Sequence, residues 1–204
     1  MVKKHLIFLS FVLFFINHQL AAQSDQKNDS LAEGVFYTRV EFLKQKPHYT
    51  PEQLYRPSGT AHFSIRSWSN RDSLYVMNGK ARQTIKRDEV WGFYDDGNLF
   101  IQLNGFFHKA AFIGNITLFN EVYPVMNAPF NPVATETTKD ITPRIMNMPD
   151  GKILSYSPNS LMELLQTDKT LSNNYKALSK KLRKKMMYSF IERFNNRHPL
   201  FDNR

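Results

Sequence analysis

Residues 90–119, VWGFYDDGNLFIQLNGFFHKAAFIGNITLF, decide how the chain folds. Apolar and aromatic residues alternate with polar ones between two turn signals, Asp96-Gly97 and Asn104-Gly105, which reads as consecutive antiparallel strands joined by tight hairpins. Gly114 interrupts the last strand pattern and predicts a bulge.

Upstream, the period of two continues. His62, Ser64 and Arg66 alternate with Phe63 and Ile65, and Asp72 to Met77 and Lys80 to Lys86 are two strand candidates flanking Asn78-Gly79, another hairpin signal. Before them, Gly34-Val35-Phe36-Tyr37 opens the ordered part. Thr38 followed by Glu41 has capping-box spacing, so a short helix carrying Val40, Phe42 and Leu43 should run to Lys46-Pro47. Thr50-Pro51-Glu52 caps one further turn.

Downstream, Tyr123 to Thr138 is rich in Pro, Asn and Thr and reads as a surface excursion. Ile141 to Met148 and Lys152 to Tyr156 flank Pro149-Asp150-Gly151, a further hairpin. Ser157-Pro158 starts a helix, with capping-box spacing repeated at Ser160 and Glu163. The last helix is predicted over Asp168 to Asn195, with Leu171, Tyr175, Leu178, Leu182, Met186, Phe190 and Phe194 as its apolar stripe. The sum is an α+β domain: an antiparallel meander of five to seven strands, strongly bent or partly barrel-like, with a short N-terminal helix and a C-terminal helical pair packed on it.

The N-terminus has the order of an export signal. Lys3 and Lys4 precede the apolar run Leu6 to Ile16, followed by Ala21-Ala22. The run is about half the ~20 residues a membrane span requires. The expected division is a signal peptide at 1–22, a flexible leader at 23–33, a single domain at 34–200 and a tail at 201–204. No transmembrane span is expected after cleavage, and the destination is periplasmic or extracellular. The chain contains no Cys, so disulfides, thiol nucleophiles and zinc sites of the Cys type are excluded, and no lipid is attached through an N-terminal Cys.

Net charge falls from +9 to +7 when Lys3 and Lys4 leave with the signal, and the surplus lies in the last helical region. Lys176, Lys180, Lys181, Arg183, Lys184 and Lys185 are candidates for an anionic-surface contact, on a face opposite the apolar stripe. A solvated helix face is the plain alternative.

The entry Gly34-Val35-Phe36-Tyr37-Thr38 with Glu41-Phe42 and Lys46-Pro47, the central Val90-Trp91-Gly92-Phe93, the Ile113-Gly114 strand and the ending Ile191-Glu192-Arg193-Phe194-Asn195-Asn196-Arg197-His198-Pro199-Leu200 resemble a family of uncharacterised secreted proteins from Bacteroidota. The resemblance implies export from a Gram-negative cell and no particular activity. Many members of that family begin with a lipoprotein Cys, which this chain lacks.

His48, His62, His108 and His198 have no metal-ligand spacing, and no Gly-x-Ser-x-Gly elbow occurs. Asp95-Asp96-Gly97-Asn98 resembles half a calcium loop but lacks the spaced acids and final Glu, so a hairpin turn explains it. No glycine loop precedes a helix to cradle phosphate. No metal and no cofactor is therefore expected, and nucleic acid is not the expected partner. Trp91, Phe93, Phe106 and Phe107 are candidates for an exposed aromatic binding face, and Ser30 and Ser73 stand in Asp-Ser-Leu patterns that resemble O-glycosylation acceptors. The sequence favours a non-catalytic binding or scaffolding module of the envelope, contacting another envelope protein or an anionic component. The alternative is an envelope or polysaccharide hydrolase whose His and Asp residues meet only in the fold.

Overall fold

A computed structural model gives the fold and describes residues 31–54, 73–78, 81–124 and 139–201. The export segment, Ser30, the strand expected from Thr60, the segment 125–138 and the tail at 202–204 lie outside the described residues. The chain divides into two compact units, Met1–Leu31 and Ala32–Arg204, and everything below concerns the second.

Its strands are β1 (Gly34–Phe36), β2 (Ser73–Asn78), β3 (Ala81–Lys86), β4 (Gly92–Asp95), β5 (Asn98–Leu103), β6 (Phe106–Phe112), β7 (Ile116–Pro124), β8 (Lys139–Asn147) and β9 (Lys152–Ser155). Its helices are α1 (Arg39–Leu43), α2 (Pro158–Leu164), α3 (Lys169–Ala177) and α4 (Lys180–Arg197). The α+β reading holds. A seven-stranded antiparallel sheet runs β1-β4-β5-β6-β7-β8-β9, open rather than closed into a barrel, and β2 and β3 form a separate two-stranded sheet.

The turns that organise it are those seen in the sequence. Asp96 and Gly97 have φ of 48° and 74°, and Asn104 and Gly105 of 52° and 81°. Two consecutive positive φ values are what a two-residue hairpin compatible with strand twist requires, and Asn, Asp and Gly tolerate them best.

The sheet differs from a simple meander at one edge. Val35 pairs with Phe93, so β1 occupies the edge of β4 that β3 would need to continue the meander. The β2–β3 hairpin instead buries Leu74, Val76 and Ile85 with Phe93 and Phe100 of the large sheet. A second cluster joins Ile116 and Ile145 of β7 and β8 to Leu161, Leu171, Tyr175, Met187, Phe190 and Ile191 of the helices.

The three C-terminal helices begin on side-chain caps. Ser157 Oγ accepts the N–H of Ser160, Asp168 Oδ1 that of Leu171 at 2.9 Å, and Ser179 Oγ that of Leu182. Ser157, rather than the Ser160–Glu163 pair, therefore caps α2, and Glu163 is free to bind Lys152 Nζ at 2.5 Å. The expected long helix is two: Leu178 is extended (ψ 146°) and Ser179 restarts the helix as the N-cap of α4. The phase changes at that break, so Leu182 of the expected stripe is 46% exposed, while Phe190 and Phe194 are buried as expected and Met187 and Ile191 are buried with them. Thr38 and Glu41 do form the capping box of α1, which buries Phe42 and leaves Val40 exposed.

Gly114 lies in the turn between β6 and β7, and the register irregularity falls nearby, between Ala110 and Phe112. The glycine is required by close approach, since a Cβ there would stand 2.3 Å from Asn195 Nδ2.

Candidate functional site

The cationic residues separate into groups with different physics. Lys176 is exposed in the last turn of α3, where a positive charge opposes the negative helix end and is stabilising. Lys180, Lys181, Lys184 and Lys185 occupy the first two turns of α4, and the first of these turns, with Lys180 and Lys181, is the end where the helix is itself positive. No acid stands in that first turn, and among the described residues none of the four lysines has a carboxylate partner. Lys180–Lys184 and Lys181–Lys185 are like-charge i,i+4 pairs, each unfavourable by about 0.2–0.5 kcal/mol. All four are exposed, and they line an open, shallow concavity walled by their methylene stems.

At 100° per residue the four lysines cover an arc of about 140°. Lys180 and Lys184 stand almost in line with buried Ile191, so the lysine face is not simply opposite the apolar stripe. Arg183 does not belong to this face: it is partly buried, its carbonyl accepts the Tyr175 hydroxyl at 3.0 Å, and its buried Nε has no hydrogen-bond partner among the described residues. Burial pushes the Tyr175 hydroxyl up to about 12, which keeps it a neutral donor to that carbonyl at any ordinary pH.

The lysine face continues into two apolar groups that the helical stripe concealed. Leu182 is 46% and Tyr188 48% exposed. They flank Lys185 on the outward side, three residues to either side of it. The Tyr188 ring meets Phe112 edge-on at 5.8 Å, which props it against the sheet.

The aromatic candidates do not form one exposed face. Phe93 is fully buried, stacked on Phe100 at 4.6 Å and edge-on to Phe107 at 4.9 Å, and Phe107 is itself half-buried against this core. Alternation on a half-covered sheet would expose one face, but Tyr94, Leu99 and Ile101 are buried as well, so β4 and β5 are covered on both sides. Trp91 is half-buried, tilted over Phe42 at 5.4 Å. Phe106 stays exposed at the β5–β6 turn with the Arg87 guanidinium 5.7 Å from its ring centre. Ser73 begins β2, partly exposed, opposite Lys86.

Folding does bring His and acidic residues together, in places the sequence did not mark. His198 Nε2 stands 3.1 Å and Arg197 Nε 3.3 Å from Asp168 Oδ2, while Oδ1 caps α3. The Leu171 N–H, His198 and Arg197 together hold the Asp168 carboxyl below its ordinary range. His48 Nδ1 meets Glu41 Oε1 at 3.2 Å on the surface. His108 is buried: its Nδ1 accepts the Val122 N–H at 3.1 Å and its Nε2 donates to Leu103 O at 3.2 Å. Those roles require the neutral ring, and burial lowers its proton affinity accordingly. Beside it, buried Glu121 binds Arg144 Nε at 2.6 Å and accepts from Asn104 Nδ2 at 3.3 Å. Each acid in these pairs is engaged by caps or cations. Among the described residues no serine or threonine hydroxyl is hydrogen-bonded to the His48 or His198 imidazole.

Among the described residues no three of His, Asp and Glu gather as a metal site would require, and no helix is long and apolar enough to cross a membrane. Compared with models of protein families, with curated proteins and with solved structures, the chain matches none.

Proposed function

We propose that this protein is an exported binding module, without catalytic machinery of its own, that holds an anionic component of the cell envelope on the lysine face of α4. Export rests on the order of Lys3-Lys4, the apolar run Leu6 to Ile16 and Ala21-Ala22. Its agreement with the Bacteroidota resemblance supports the same destination.

The observation that carries the binding reading is the placing of the four lysines. Lys180 and Lys181 sit in the first turn, where positive charge is least stable, and Lys184 and Lys185 repel them from one turn on, without acids in the first turn to neutralise them. An arrangement that costs stability in the free protein is relieved when an anion arrives, so the same repulsion becomes binding energy. A solvated face would scatter the charge and intersperse acids, as exposed helices generally do.

Heparin serves as a generic polyanion. The chain lacking residues 1–22 should be retained on a heparin column and elute at clearly higher salt than the variant in which Lys180, Lys181, Lys184 and Lys185 are all Ala. Elution of both at the same salt overturns the reading. The hydrolase alternative would be carried by the Asp168–His198 pair. Turnover of a glycoside or ester substrate that disappears in His198→Gln, while the fold persists, would replace the binding reading with it.

A further inference from the structure

We propose that the anionic component is a lipid bilayer, and that α4 lies along its surface with Leu182 and Tyr188 seated among the headgroups. This rests on the binding reading above and adds to it a commitment to the ligand's chemistry. A soluble polyanion is gripped by lysines alone and gains nothing from neighbouring hydrocarbon. A bilayer interface offers negative headgroups and, a few ångströms deeper, an apolar layer.

The outward side of the first turns of α4 matches that profile. Leu182, Lys185 and Tyr188 follow one another at intervals of three, with Lys181 between Lys185 and Tyr188 around the helix, so cationic and apolar groups share an arc of about 120° over about 9 Å of its length. Leu182 and Tyr188 are both about half exposed, although Met187 and Phe190 of the same helix are buried. Tyrosine suits the position because its ring is apolar and its hydroxyl is polar, the combination favoured at the edge of a membrane. Lysine stems are long enough to lie along hydrocarbon while the ammonium groups reach the phosphates. The edge-on contact of Tyr188 with Phe112 fixes the ring before binding, so little rotamer entropy is lost on docking.

The Cys-free chain makes a direct test possible. Single cysteines are introduced as Leu182→Cys and Tyr188→Cys, with Lys44→Cys on the distant α1 cap as control, and each is labelled with a polarity-sensitive nitrobenzoxadiazole dye. Phosphatidylglycerol–phosphatidylcholine vesicles should shift the emission of the dye at 182 and 188 to the blue and leave that at 44 unchanged, whereas phosphatidylcholine alone should shift none. Vesicle affinity should fall about fivefold for each lysine removed. In the double variant Leu182→Ser/Tyr188→Ser it should fall on the order of tenfold, with heparin elution unchanged.

Heparin retention without vesicle binding, or vesicle binding without a dye response at 182 and 188, overturns the bilayer inference and leaves the anionic-component reading intact. Loss of heparin retention as well removes both. Equal vesicle affinity of wild type and Leu182→Ser/Tyr188→Ser also overturns it, and circular dichroism of that variant confirms that α4 is still formed.

Discussion

Asn195, near the end of α4, binds both main-chain groups of Ile116 at the start of β7: its Oδ1 accepts the Ile116 N–H and its Nδ2 donates to the Ile116 carbonyl, each at 2.8 Å. The side-chain amide thus acts as a short piece of neighbouring strand. It is buried, and Asn115 Nδ2 adds a bond to His198 O at 2.8 Å, so the last helix is clipped to the β6–β7 turn.

Replacing Asn195 by Ala leaves a buried N–H and a buried C=O unpaired, and should lower unfolding free energy by about 3 kcal/mol in urea titrations. Gly114→Ala should cost about 1–3 kcal/mol by overpacking against the same amide. Because Asn195→Ala removes the obstacle, the double variant should cost less than the sum of the two. Strict additivity would show that the close approach is not what demands glycine at 114.

Ser179 restarts the helix after Leu178, and Ser179→Ala should destabilise the protein by about 1 kcal/mol. Ser179→Asp should restore or exceed wild-type stability, since it caps equally well and adds a negative charge beside the lysines. A thermal melt in which Ser179→Asp falls below Ser179→Ala would contradict both the cap and the repulsion.

Changing Lys180, Lys181, Lys184 and Lys185 to Ala should raise stability by about 1 kcal/mol at low salt, through relief of the two i,i+4 repulsions and of the helix-end charge. The gain should shrink as salt is added. A stability loss at low ionic strength would mean that the lysines make contacts holding the fold together.

The buried neutral state of His108 sets a direction with pH. Its folded proton affinity lies below the unfolded one, so the unfolded chain binds more protons once pH falls below about 6.5, and stability declines until the folded value is passed. His108→Gln, which offers an amide donor and acceptor in place of the two ring nitrogens, should flatten that decline. Denaturant midpoints between neutral and mildly acidic pH that keep the same slope in both proteins would assign the dependence elsewhere.

Phe93 and Phe106 both belong to the aromatic stretch and should part company under substitution. Phe93→Ala empties a fully buried, stacked position and should cost about 3–5 kcal/mol. Phe106→Ala at the turn should cost less than about 1 kcal/mol. Comparable losses would place both rings in the core.

The two-residue hairpin turns were fully legible. Asp96-Gly97 and Asn104-Gly105 announce positive φ from composition alone, and those hairpins make β4, β5 and β6 neighbours without reference to the rest of the chain. The Thr38–Glu41 box was legible for the same reason, since its partners lie within one turn. The break at Leu178 was only half legible: Ser179 is a good cap, but the apolar stripe runs across it unbroken, and periodicity outweighs one serine when the chain is read as a string. The burial of β4 and β5 on both faces also had a trace, in the unalternating run Leu99-Phe100-Ile101.

Local chemistry thus determined the strand stretch, its two-residue turns, the helix starts at Thr38, Ser157 and Asp168 and the cationic end of the chain, because each depends on residues within a few positions of one another. Partners far apart in the chain were left to the tertiary structure. That β1 takes the edge of β4, that Asn195 meets Gly114 and Ile116, that Asp168 meets His198, and that Leu182 and Tyr188 stay at the surface beside the lysines all follow from which surfaces bury the most apolar area together. Competition among distant segments settles that quantity, and no window of sequence contains it.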